Sequence, residues 1–91
     1  MKKRLRTLIF AMIKLLYFAA LVDRLGSASE QLEAPTPSDV AGLVSLLKQR
    51  GGVWQEVFGA SSVRITVNKK FAELKTPIRD GDEIAFISAW I

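Results

Sequence analysis

The stretch MIKLLYFAALVDRLG, residues 12–26, decides the fold. Its first half is rich in aliphatic and aromatic residues, and Ile13–Phe18 is typical of a buried β-strand. Its second half, Ala19–Leu25, predicts a short helix, because Gly26 follows at the position where helices commonly end in a left-handed residue. We therefore expect a buried strand that leads directly into a short helix.

The segment in front of this stretch, MKKRLRTLIFA, carries the excess charge of the chain. Four of the 13 basic residues lie before Met12, whereas all nine acidic residues come after it. The other basic residues balance the acidic ones, so the net charge of +4 belongs to this segment. We interpret residues 1–11 as an N-terminal extension, disordered or helical, and residues 12–91 as a single domain. A neutral domain is not expected to bind nucleic acid.

A secretion signal is the alternative interpretation of the same region. Such signals combine a basic start, an apolar run of about 7–15 residues and a cleavage site of small residues. Leu15–Val22 supplies a short run, and residues 27–29 (Ser-Ala-Ser) supply a site of small residues. Lys14 and Asp23 interrupt the apolar zone, which disfavours a secretion signal but leaves it as an alternative. Because a spanning helix needs about 20 largely apolar residues, the same charges argue against a membrane segment.

The residue types exclude several classes of catalytic site. The chain contains no cysteine and no histidine. This excludes disulfides, thiol nucleophiles, serine–histidine relays and zinc sites built from those ligands. Asp80, Asp82 and Glu83 surround Gly81, and we interpret this spacing as a tight turn and not as a cation site. We therefore expect no catalytic, cofactor-binding or metal-binding side chains, and no cofactor.

The clearest helix signal lies in the middle of the chain. Thr36 is expected to cap a helix, with Pro37 in its first position and Asp39 in its first turn. An apolar stripe at helical spacing follows, formed by Val40, Leu43, Val44 and Leu47. Gly51 and Gly52 end the helix. The pattern predicts one long helix with a single apolar face.

Strands and turns account for most of the remaining sequence. They are an edge strand at Ser29–Glu33, a half-buried strand at Val63–Val67, a turn at Asn68-Lys69, a return strand at Phe71–Leu74, a turn at Arg79–Asp82 and a last strand at Glu83–Ile87. A short helical turn at Trp54–Phe58 places Trp54 as a lid over the core. This order predicts an α+β fold, with a mixed sheet of four to five strands and one long helix packed on one face. The first and last strands are the most continuously apolar, so we expect them side by side in the centre.

Three segments of the chain together resemble a known family. They are Met12–Ala19 with Leu25-Gly26, then Val67-Asn68, and then Thr76–Phe86. In their order and spacing they are similar to the small sulfur-carrier subunit of molybdopterin synthase, a ThiS-like, ubiquitin-like family. The resemblance spans Met12–Phe86, nearly the whole chain apart from the extension. It implies the β-grasp fold, which agrees with the order of elements predicted above.

The resemblance also implies a cytoplasmic role in molybdenum cofactor biosynthesis. In that family the chain ends in Gly-Gly, an adenylating enzyme activates the terminal carboxylate with ATP, and sulfur replaces the adenylate. The resulting thiocarboxylate tail enters the large synthase subunit and donates its sulfur to the pterin. The small subunit is a non-catalytic carrier. The implied partners are therefore the large catalytic subunit and the adenylating, sulfurating enzyme, with no nucleic acid and no membrane.

The C-terminal sequence departs from the family pattern. After Phe86 the chain reads ISAWI, with Ser88 and Ala89 where the family has prolines and without the Gly-Gly. No thiocarboxylate residue can therefore be assigned, and sulfur transfer is not expected of the chain as written. Phe86, Trp90 and Ile91 are the candidate partner-contact tail, and a tail that folds back is the alternative. Three explanations stay open: a truncated or frameshifted gene, a degenerate paralogue, or a β-grasp interaction module that does not carry sulfur.

Overall fold

A computed structural model of the protein describes residues 10–35, 38–60 and 62–88. The elements within those ranges are, in chain order, β1 (Phe10–Ala19), α1 (Ala20–Leu25), β2 (Ser29–Pro35), β3 (Ser38–Asp39), α2 (Val40–Lys48), α3 (Val53–Gly59), β4 (Arg64–Val67), β5 (Lys70–Phe71), β6 (Pro77–Ile78) and β7 (Glu83–Ser88). The predicted step from a strand into a short helix is confirmed by β1 and α1. Gly26 ends α1 with a φ of 74°, and its N–H donates a hydrogen bond to the carbonyl of Val22.

The main sheet contains five of the described strands, in the order β2-β1-β7-β4-β5. β1 and β7 run parallel, whereas the other neighbouring strands run antiparallel. The sheet is therefore mixed, and the first and last strands lie side by side near its centre, which confirms both predictions. β3 and β6 form a separate antiparallel pair outside this sheet.

The first strand reaches further toward the N-terminus than the sequence pattern indicates. β1 begins at Phe10, two residues before the domain boundary expected at Met12. Ala11 is fully buried and pairs with Ala34 of β2. This alanine is therefore part of the folded sheet. Residues 1–9 lie outside the described ranges, and their assignment as an extension stays a prediction.

The helical layer consists of three short helices instead of one long helix. Within the described ranges the longest is α2, with nine residues, and none is long and apolar enough to cross a membrane. α2 begins after Asp39, whose Oδ1 accepts a hydrogen bond from the N–H of Gly42 at 2.8 Å. Asp39 is therefore the cap and not a first-turn residue, because pairing with β6 holds its backbone extended. Gly51 and Gly52, with φ of 75° and 55°, separate α2 from α3.

The apolar stripe predicted for this helix faces the core. Three of its residues are completely buried, namely Val40, Leu43 and Leu47. Val44 is half-buried and packs against the core. Thr36 and Pro37, predicted to cap and begin the helix, lie outside the described ranges. Arg24 of α1 forms an ion pair with Glu56 of α3, so the two helices are also linked at the surface.

The hairpin between β4 and β5 turns where the sequence predicts it. Asn68 and Lys69 both have positive φ, 52° and 73°, as a two-residue turn between right-twisted strands requires. The return strand is shorter than the expected Phe71–Leu74 and consists of Lys70–Phe71. The hydroxyl of Thr76 accepts a hydrogen bond from the N–H of Glu73, so the chain turns away from β4 soon after Phe71.

Candidate functional site

The two sides of β1 define two faces of the sheet. Ile13, Leu15 and Tyr17 point toward the helices and are no more than 2% exposed. Met12 and Phe18 point the opposite way and are 45% and 46% exposed. We call this second side the outer face. The helices do not cover the outer face, so the side chains of Met12 and Phe18 contact solvent there.

The strand register gathers the outer apolar residues at one end of the sheet. Leu16 of β1 lies opposite Ala85 of β7, and Phe18 lies opposite Ile87. These four residues are the outer patch, in which Phe18 is exposed, Leu16 and Ile87 are half-buried, and Ala85 is 7% exposed. Phe71, which is 77% exposed, extends their row on β5, because it pairs with Thr66 and Thr66 pairs with Ala85. At the other end of the sheet the face becomes charged, where Lys14 lies opposite Glu83.

The central position of β7 places its end beside the outer patch. Ser88 pairs with Ala19, the residue at which β1 passes into α1. Any chain that follows Ser88 therefore starts from the middle of the sheet, one residue beyond Ile87 of the outer patch. The predicted contact residues Trp90 and Ile91 lie outside the described ranges.

Phe86, the third residue of the predicted contact tail, is a core residue. Its side chain is completely buried. Its ring is stacked on Tyr17 with 5.8 Å between ring centroids, and the ring of Phe58 meets it edge-on at 5.0 Å. The prediction for Phe86 was wrong because the strand alternation turns this side chain toward the helices, whereas its neighbours Ala85 and Ile87 face outward.

The acidic residues near Gly81 build a turn, as the sequence indicates. An Oδ atom of Asp80 accepts a hydrogen bond from the N–H of Met12 at 2.8 Å. Asp82 accepts from the side-chain amide of Asn68 at 2.9 Å and from the N–H of Arg79 at 2.8 Å. These carboxylates are therefore used to join β1, β7 and the β4–β5 hairpin. Within the described ranges no group of three His, Cys, Asp or Glu side chains could hold a metal ion.

A polar cluster closes the helix-covered side of the sheet, and the sequence pattern did not reveal it. Arg50 donates two hydrogen bonds to the carboxylate of Glu30, at 2.8 and 2.9 Å, and the hydroxyl of Tyr17 donates a third at 2.8 Å. The guanidinium of Arg50 lies over the ring of Trp54, 4.4 Å from its centroid. Trp54 in turn stacks on Phe58, which agrees with the predicted lid over the core. We call Tyr17, Glu30, Arg50 and Trp54 the edge cluster.

The pKa values within the edge cluster follow from its contacts. The hydrogen bonds from Arg50 lower the pKa of Glu30, against an opposing effect of burial. Burial raises the pKa of Tyr17, and its hydrogen bond to Glu30 raises it further. The cluster therefore holds an ionised carboxylate and a protonated phenol at neutral pH. Since every group already has a partner, the arrangement indicates a structural role and not acid–base chemistry.

Comparison with known proteins gives the same family as the sequence segments. Residues 15–90 match the ThiS family. The chain is 33% identical over 76 residues to the molybdopterin synthase sulfur carrier subunit of Mycobacterium tuberculosis. The aligned region covers 82% of this chain and 89% of that protein. The predicted resemblance is thereby confirmed.

Solved structures support the fold. Small archaeal modifier protein 1 (SAMP1) of Haloferax volcanii is similar with a TM-score of 0.75 at 20% identity, covering 86% of this chain and 94% of that one. A putative molybdopterin converting factor, subunit 1, of Pyrococcus furiosus is similar with a TM-score of 0.73 at 24% identity, covering 86% and 97%. At these identities the likeness concerns the fold, which is the ubiquitin-like β-grasp. The central position of the first and last strands agrees with this fold. The match over residues 15–90 shows that the chain belongs to the ThiS family of sulfur-carrier-like proteins.

Proposed function

We propose that the protein is the small, non-catalytic carrier subunit of a molybdopterin-synthase-type complex in the cytoplasm. The observation that carries this proposal is the 33% identity to a molybdopterin synthase sulfur carrier subunit over most of both chains. The site supports it as well, because the described residues offer an exposed apolar side chain, Phe18, beside the end of a central strand. A protein of this kind works by presenting its tail to an enzyme.

The outer patch is the surface that would meet the large catalytic subunit. A stable interface buries about 800 Å² on each partner, and its energy comes from a few apolar or aromatic residues near its centre. Phe18 fits that role, since it is 46% exposed on the helix-free face and pairs with Ile87 beside the end of β7. Docking there would direct the segment after Ser88 into the partner.

The chemistry of the carrier would take place on the tail. In the family, ATP adenylates a terminal Gly-Gly carboxylate, a sulfur donor displaces AMP, and the thiocarboxylate gives its sulfur to the pterin. Glycine suits this tail because the absence of a Cβ lets the backbone approach an enzyme tunnel closely. In this chain Ser88 is followed by Ala89, Trp90 and Ile91, so the proposal separates into a binding part and a sulfur-transfer part.

Calorimetric titration with the large synthase subunit tests the binding part. We expect a complex at micromolar concentration. Phe18→Glu places a charge in the outer patch and is expected to weaken binding at least about tenfold. Gln55→Glu is the matched control, because it adds the same charge at an exposed position of α3 on the opposite side. Absence of a complex with the unchanged protein, or equal losses for both variants, would contradict the proposal.

Mass spectrometry tests the sulfur-transfer part. The chain is incubated with the adenylating enzyme, ATP and a sulfur donor, and the intact mass is measured for replacement of one oxygen by sulfur. We expect no such replacement in the chain as written and replacement in a variant extended by Gly-Gly. If the extended variant binds the large subunit but never gains sulfur, carrier function is wrong even though binding is right.

A β-grasp interaction module without sulfur transfer is the second candidate. It is favoured by Ser88 and Ala89, which stand where the family has prolines before its reactive tail. Such a module would bind the large subunit through the outer patch yet fail to restore synthase activity, even with Gly-Gly added. Synthase assays with the extended variant therefore distinguish the two candidates.

A further inference from the structure

One cation lies within the apolar part of the outer face. Arg64 of β4 pairs with Ile87, and Ile87 pairs with Phe18, so the three residues form one row across the sheet. Their side chains share the outer face, because residues paired across neighbouring strands point to the same side. Arg64 is exposed, and its guanidinium forms no ion pair among the described residues. The row therefore ends in a positive charge beside two apolar side chains.

Apolar surface continues on the other side of Arg64. Phe71, which is 77% exposed, lies diagonally across from Arg64, because it pairs with Thr66, two residues further along β4. Arg64 and Phe71 also line one shallow cavity of about 400 Å³, together with Leu74, which is 59% exposed. Arg64 therefore lies between two groups of apolar side chains, one on β1 and β7 and the other at β5 and the segment that follows it.

The carboxylates of the described residues do not neutralise Arg64. On the outer face, Glu33 and Glu83 lie toward the charged end of the sheet. Glu83 precedes Ile87 by four residues on β7, which is ~13 Å along the strand. Glu73 lines the same shallow cavity as Arg64, but the two side chains form no ion pair. The donors of the guanidinium are therefore available to a partner.

A partner that covers both groups of apolar side chains also removes water from Arg64. A cation without a counter-charge is costly in such an interface, because the loss of its hydration is not compensated. A carboxylate matches the planar guanidinium best, since it accepts two parallel hydrogen bonds and balances the charge. A neutral acceptor would satisfy the donors but would leave the charge unbalanced.

We propose that Arg64 is the charged contact of the partner interface, and that the partner presents an Asp or Glu carboxylate to it beside an apolar pocket for Phe18. This inference rests on the proposed function and adds the chemistry of the opposing surface. The large synthase subunit is then an acidic as well as an apolar partner at this site. A purely apolar surface is rejected, because it would leave the guanidinium unpaired.

Charge reversal, measured by calorimetric titration with the large synthase subunit, tests the ionic contact. Arg64→Glu sets two carboxylates against each other and is expected to weaken binding at least about thirtyfold, as for other broken charge pairs in interfaces. Lys48→Glu is the matched control, because it makes the same change of charge at an exposed position of α2, on the helix-covered side. We expect it to change the affinity by less than about threefold. Circular dichroism checks that both variants are folded.

Cross-linking identifies the opposing carboxylate directly. A carbodiimide joins an amine to a neighbouring carboxylate with loss of water, and Arg64→Lys supplies an amine at this position. In the complex we expect an amide link from position 64 to one Asp or Glu of the large subunit, located by mass spectrometry of the digested peptides. The unchanged protein is the control, because arginine does not form this link.

Three results would overturn the proposal. Equal losses for Arg64→Glu and Lys48→Glu would show that Arg64 lies outside the interface. A link from position 64 to Glu73 of the same chain alone would show that the cation is neutralised within the protein. Absence of a complex with the unchanged protein would refute the proposed function, and with it the partner named here. If Arg64→Glu does not fold, the cross-link in Arg64→Lys decides.

Discussion

The two faces of β1 differ in burial, although the strand is apolar along most of its length. On the inner face, Ile13, Leu15 and Tyr17 are almost completely enclosed. On the outer face, Met12 and Phe18 keep nearly half of their surface in solvent. Hydrophobicity alone does not separate the residues of the core from those that stay exposed. The strand alternation and the position of the helices do so.

The largest effect is expected from Phe86, on the inner face. Phe86→Ala removes a completely buried ring that contacts Tyr17 and Phe58. Deletion of such a ring costs about 3–5 kcal/mol, because both burial and packing are lost. Urea unfolding monitored by circular dichroism measures the loss. A loss below about 1 kcal/mol would show that Phe86 is not a core residue and would return it to the predicted contact tail.

A smaller effect is expected at the edge cluster. Tyr17→Phe keeps the ring but removes the hydroxyl that donates to Glu30 at 2.8 Å. The free energy of unfolding should fall by about 1 kcal/mol, as for other single hydrogen bonds. A double-mutant cycle with Glu30→Gln isolates the pair. A cycle energy of zero would mean that the contact contributes nothing to stability.

The pH dependence of stability should show the ionised state of Glu30. Arg50 holds its pKa below the ordinary value in the folded protein, whereas an unfolded glutamate titrates at about pH 4.3. The stabilisation is therefore complete above that pH and is lost as pH falls through the lower pKa of the folded state. Urea unfolding from pH 7 to pH 3 should show the loss, and Glu30→Gln should reduce it. An unchanged profile in Glu30→Gln would contradict this assignment.

The smallest effect on stability is expected on the outer face. Phe18→Thr keeps a residue that favours strands, and the ring it removes is already 46% exposed. The free energy of unfolding should change by no more than about 0.5 kcal/mol. The measurement is again urea unfolding, with Phe86→Ala as the contrasting variant. A loss above about 2 kcal/mol would show that the outer face contributes to folding and would abolish the distinction between the two faces.

Local sequence patterns predicted the elements that depend on local physics. β1, α1 and the left-handed Gly26 follow from residues that are adjacent in the chain. The same holds for the turn at Asn68 and Lys69. The cap of α2 was placed too early, because the extended backbone of Asp39 depends on pairing with Pro77 of β6, and a distant pairing leaves no local signal.

The candidate site was less predictable for the same reason. Arg50 and Glu30 are 20 residues apart, and only the fold brings them together. The outer position of Phe18 could have been predicted from strand alternation once β1 was known. The same rule applied to β7 would have predicted the inner position of Phe86. The proposed function rests on the family resemblance, since no arrangement of side chains in the described ranges specifies it.

The parallel pairing of β1 with β7 also bears on how the chain folds as it is made. β1 pairs with β7, so β1 lacks this neighbour until residues 83–88 have left the ribosome. Until then, the edge of β1 that does not pair with β2 is unpaired. An unpaired apolar edge favours slow sheet formation and binding by chaperones. Completion of the sheet therefore requires one step that brings together the two described strands that are most distant in the sequence.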